Sequence, residues 1–149
     1  MSTSVQTYSV EAKPRSTSLV AALLRRAPLI MMTVIFTLIS FRYLSDPVRA
    51  SAAEGIIFTR PGGITIARIG FAAFPLAFAI LAFASLISAR RRLAGLYMVL
   101  TVVSVVIAVR LFGILIDHST DSARLFIPEF VLLALSIIAI RLESAMASR

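Results

Sequence analysis

This chain of 149 residues is 59% hydrophobic, charged at only 15% of its positions and has a mean hydropathy of +0.96, a composition that excludes a soluble globular domain. Fifteen basic residues stand against seven acidic ones, and there is no cysteine and one histidine. Disulfides, thiolate chemistry, iron–sulfur ligation, bis-histidine haem and His-rich metal sites are thereby excluded, and no cofactor or metal is expected.

Residues 1–18, "MSTSVQTYSVEAKPRSTS", are polar, rich in Ser and Thr and without a hydrophobic period, which predicts a flexible cytoplasmic tail before one transmembrane domain over residues 19–149. Four apolar runs follow: Ala27 to Leu44, Ile64 to Ala89, Leu93 to Ile116 and Leu125 to Leu142. Backbone polar groups in lipid must be satisfied within each segment, so each run is expected to be a helix. The predicted fold is all-α, a four-transmembrane-helix bundle threaded up-down-up-down. The small-residue sequence "ASA" lies well past the first run, with Arg42 and Pro47 intervening, so that run reads as a retained span and not as a cleaved signal.

Between the first two runs, "SDPVRASAAEG" places Asp46 at an N-cap, Pro47 at N1 and Gly55 at C′ of a short helix lying at the outer surface. "TRPGG" then predicts a type II turn at Pro61 and Gly62. Pro75 sits near the middle of the second run, where it removes a hydrogen bond from the carbonyl of Phe71 and predicts a kink. Ala73, Ala77 and Ala84 offer a small face for a neighbouring helix.

The basic residues set orientation. Lys13, Arg15, Arg25 and Arg26 precede the first run, Arg90, Arg91 and Arg92 fill the turn between the second and third, and Arg141 and Arg149 close the chain. By the positive-inside rule both termini are cytoplasmic, and the excess charge points to the lipid bilayer as partner, not to nucleic acid. Tyr43 and Tyr97 fit interfacial belts.

Arg110 lies inside the third run, with seventeen uncharged residues before it and six after it. Antiparallel threading brings it to a similar depth in the outer half of the membrane as Arg42, Arg68 and Glu129. A lone arginine at a helix centre costs about 3 kcal/mol on insertion scales, so these groups should face one another or water. Glu129, the only carboxylate inside the predicted runs, is the expected partner of Arg110. Gly113 and Asp117 share the Arg110 face, and Ser136 shares that of Glu129.

Two roles fit this cluster of Arg42, Arg68, Arg110, Asp117 and Glu129. The first is a packing network in a non-enzymatic accessory subunit of a larger membrane complex, with a homo-oligomer as the other possible assembly of the chain. The second is an anion site for a small anionic or amphipathic, lipid-like molecule, resting on three arginines against one embedded glutamate. An enzyme ranks third. "DHS" at Asp117, His118 and Ser119 has the letters of a hydrolase triad, but consecutive residues do not stack into nucleophile, base and orienter. His118 reads as an exposed loop residue.

Arg68 with small residues at the start of the second run, "VRLFGILIDHS" closing the third and "PEFVLLALSI" opening the fourth together resemble a family of small bacterial four-helix membrane proteins catalogued only as a domain of unknown function. The resemblance covers about residues 28–142, with Arg68, Arg110 and Glu129 matching its recurring charges. It implies a bacterial inner-membrane location and no particular chemistry. "ARIGFAAF" departs from the pattern, supplying Gly70 where a glycine pair is expected.

Overall fold

The computed structural model describes residues 19–118 and 123–147; the predicted tail, Asp121 and Arg149 lie outside the described residues. The chain is all-α, with long helices α1 (Leu19–Ser45), α3 (Pro61–Ile87), α4 (Ala89–Asp117) and α5 (Phe126–Ala147), and a short helix α2 (Pro47–Ala52). All four long helices are apolar and long enough to cross a membrane. They pack as a ring with antiparallel contacts, in which α1 and α4 each touch both α3 and α5. Leu29, Met32, Ala82, Leu96, Val99, Val103, Leu132 and Ala139 form the core. Large apolar side chains such as Leu19, Ile66, Val109 and Leu115 cover the outside, a surface suited to lipid.

The helices do not end where their apolar stretches do. Helix α1 starts before Arg25, and α5 continues past Leu142 to Ala147. Helix ends need only backbone partners and a supporting neighbour, so hydropathy marks the lipid-embedded part and not the helix. The turn between α3 and α4 is Ser88 alone, in an extended conformation. Arg90, Arg91 and Arg92 therefore open α4 and do not fill a loop.

The α2 prediction holds in detail. Asp46 Oδ1 accepts from the Arg49 N–H at 3.0 Å, and Pro47 opens the helix. Gly55, at φ 77°, closes it: the Ile56 N–H reaches the Ser51 carbonyl at 2.9 Å and the Gly55 N–H that of Ala52 at 3.0 Å, a Schellman closure. Folding back, α2 covers Tyr43, which is buried with Ala50 and Ala72 and sits 5.0 Å from the Phe71 ring. Tyr43 thus belongs to a small core and not to an exposed interfacial belt; Tyr97 is half exposed.

Three local expectations for the second span are corrected. Pro61 does not enter a type II turn: its fixed φ serves as the first helical residue, and Gly62 and Gly63 continue the helix. The expected kink at Pro75 takes the form of a π-helical segment, Ile69–Ala73, in which the Phe74 N–H bonds to the Ile69 carbonyl five residues back. The wider turn places one extra residue ahead of a proline that has no N–H to offer. The packed face of α3 is Ala72, Ala79, Ala82 and Ser85, while of the expected small face Ala73 and Ala77 are exposed and Ala84 is half-buried. With alanines on several sides of a uniformly apolar helix, small size alone does not select the packed side.

Candidate functional site

The seam between α4 and α5 begins and ends in charge. On α4 the inward residues are Arg92, Leu96, Val99, Val103, Ile107 and Arg110; on α5 they are Glu129, Leu132, Ser136, Ala139 and Glu143. Steps of three and four residues keep each set on one helix face. Because the helices are antiparallel, Arg110 meets Glu129 at one end and Arg92 meets Glu143 at the other. Eighteen residues separate the two arginines and fourteen the two glutamates, about 27 and 21 Å along an α-helix. A hydrocarbon core is about 30 Å thick, so each pair sits towards an interface and the apolar seam fills the space between.

Arg110 grips Glu129 side-on. Its Nη2 donates to Oε1 at 2.6 Å, and its Nε lies 3.0 and 3.1 Å from Oε1 and Oε2. The side chains are 17% and 15% exposed, which makes this a largely desolvated, charge-assisted contact. Glu129 stands in the first turn of α5, just after Pro128, where the positive end of the helix dipole also favours it. Two turns away Ser136, fully buried, donates to the Leu132 carbonyl at 2.7 Å and leaves no polar atom for the seam to accommodate. Beyond Arg110, α4 ends at His118, exposed and left-handed at φ 52°, whose N–H bonds to the Gly113 carbonyl.

Among the described residues, neither Arg42 nor Arg68 makes an ion pair with either member of this pair. Arg42 is exposed and lies 3.9 Å from Glu54, itself more than half exposed, a contact worth little in water. Arg68 is exposed and makes no ion pair among the described residues. Both are long enough to carry their charge from the helix surface to a headgroup layer. The Asp117 backbone closes α4, and its side chain is not among those the structure describes.

Glu143 is the residue that hydropathy passed over. It lies inside α5 and accepts from two helices at once: Arg92 Nη1 reaches Oε1 at 3.1 Å and Arg25 Nη1 reaches Oε2 at 3.4 Å. Arg25 also contacts Met146 Sδ at 2.6 Å and donates through Nε to the Ala21 carbonyl at 3.3 Å. The three charged side chains are only 10–13% exposed. Glu129 is thus not the only carboxylate of the spans. The available signal was phase: Glu143 follows Glu129 by two heptads and returns to the same face. Together the charged groups join α4 to α5 at both ends and tie α1 to the pair at one of them.

No family model, curated protein or solved structure matches this chain, and no family is identified for it. The fold establishes a small four-span membrane protein.

Proposed function

We propose that this chain is a non-enzymatic accessory or packing subunit of a membrane complex, in a bacterial plasma membrane with both termini cytoplasmic. The observation that carries this reading is the use made of the embedded charges. Both glutamates of the seam are taken up by arginines of neighbouring helices, which fastens the bundle and directs no carboxylate at a substrate. The orientation is supported by six arginines, Arg25, Arg26, Arg90, Arg91, Arg92 and Arg141, at the end shared by the start of α1 and the finish of α5. A reporter active only in the cytoplasm should work when fused after Arg149, and one active only outside when inserted near Ala53; reversed signals contradict the orientation.

The second reading is binding or transport of a small anionic or amphipathic molecule beside Arg42, Arg68 and the Arg110–Glu129 pair. Exposure of Arg68 is the observation in its favour. Purification in mild detergent separates the two. An accessory subunit leaves its membrane in a larger complex of fixed composition, visible by native mass spectrometry, whereas a clean monomer or homodimer contradicts that reading and favours the binder.

A further inference from the structure

Glu143 is the one acid that the described residues place at its end of the bundle, and Arg25, Arg26, Arg90, Arg91, Arg92 and Arg141 surround that end. Its two oxygens are each engaged by a different arginine, so a single carboxylate answers two guanidinium ions in a largely desolvated setting. Among the described residues one buried side-chain nitrogen is left over. Arg92 Nε is buried and has no hydrogen-bond partner, although Arg92 as a whole is only 9% exposed. A guanidinium N–H withdrawn from water ordinarily has an acceptor, and an orphaned one marks a place where an acceptor belongs.

We infer that this end holds the phosphate of an acidic phospholipid, seated between Arg25 and Arg92 beside Glu143 and flanked by the exposed Arg26, Arg90 and Arg91. Three features specify a lipid. The site adds a net positive charge that one phosphodiester monoanion neutralises. Arg92 lies where the apolar α4–α5 seam ends, at headgroup depth, and Tyr97 marks the same interface two turns along the Arg90 face, half exposed. The side chains of Arg25 and Arg92 keep 11% and 10% exposure, a narrow edge open to an acceptor arriving from the headgroup layer. Basic recesses between membrane helices suit such headgroups, and guanidinium planes suit paired phosphate oxygens. The inference does not depend on which side of the membrane this end faces.

The test uses the full chain in lipid nanodiscs, with phosphatidylglycerol titrated into phosphatidylcholine and retained lipid counted by native mass spectrometry. Wild type should retain one phosphatidylglycerol in preference to phosphatidylcholine. Arg92→Gln should lower that preference about tenfold, the effect of one charge-assisted hydrogen bond, and the exposed Arg141→Gln only about twofold. Glu143→Gln should act in the opposite direction, tightening retention, because the lipid phosphate then faces two arginines that no carboxylate partners. This opposite sign keeps the inference testable even where Arg92→Gln fails to fold. Equal loss in Arg92→Gln and Arg141→Gln shows diffuse attraction and overturns the site. Weaker retention in a folded Glu143→Gln, no preference in wild type, or displacement of the retained phosphatidylglycerol by inorganic phosphate at matched ionic strength overturns it too.

Discussion

Gly95→Ala should destabilise the bundle, although the same exchange in an unconfined helix stabilises it. A Cβ built on Gly95 lands on the side chain of Ser85 in α3 and comes within 3.1 Å of Leu29 Cδ2 in α1. Leu29 is fully buried and Ser85 is 8% exposed, with its Oγ committed to the Leu81 carbonyl at 2.8 Å. The obstacle includes Ser85 Cβ, which moves only with its backbone, so the cost belongs at the upper end of overpacking, about 3 kcal/mol. Replacing glycine by alanine inside a helix returns about 1 kcal/mol. The net loss is about 2 kcal/mol, or about 6 °C in Tm for a chain of this size. Thermal unfolding in a mild detergent reads it directly. Adding Ser85→Gly removes the obstructing Cβ, so the double variant should be more stable than the sum of the two single changes implies. A Gly95→Ala protein more stable than wild type refutes the close approach of α1, α3 and α4 at this point.

Glu143→Gln, in detergent free of acidic lipid, should cost about 3 kcal/mol by leaving Arg25 and Arg92 without their carboxylate, whereas Glu54→Gln should change stability by less than about 1 kcal/mol. Equal effects from chemical denaturation of the two variants would contradict the ranking drawn from their exposure. Deleting Gly70 in a Pro75→Ala background should preserve the fold, because the π-helical turn carries the extra residue and nothing lies within 4 Å of a Cβ at Gly70. Deleting Ala79 instead rotates half of α3 by about 100° and should abolish folding, as circular dichroism and size-exclusion chromatography would report.

The large features of the fold were legible because lipid leaves a chain few options. Runs of twenty apolar residues become helices, the Asp46–Pro47 and Gly55 signals bracket α2, and a lone buried acid near an arginine implies their pairing. What hydropathy misses is where polarity is supported by a neighbour. Glu143 falls past the last apolar residue of the fourth run, yet α5 continues because Arg25 and Arg92 from two other helices stabilise its carboxylate. Pro61 likewise reads as a turn residue beside two glycines, but it equally suits the first position of a helix. The packed face of α3 was hidden because alanines occupy several of its sides, and a seam of charge, as on α4 and α5, is what makes a face visible. Depth alone does not decide which arginines meet a partner: Arg110 pairs with Glu129 while Arg42 and Arg68 are exposed, since residues at one level of a bundle can point outwards in different directions.

Embedded charges act as fasteners between the helices, and the Arg110–Glu129 pair is where this is most open to measurement. A double-mutant cycle of Arg110→Leu and Glu129→Gln, followed by unfolding in detergent, isolates the interaction from other consequences of each change. Arg110→Leu alone should cost about 3 kcal/mol by stranding Glu129, and the double variant should recover at least about 1 kcal/mol of the summed losses. Simple additivity of the two single variants would show that the pair does not hold α4 to α5.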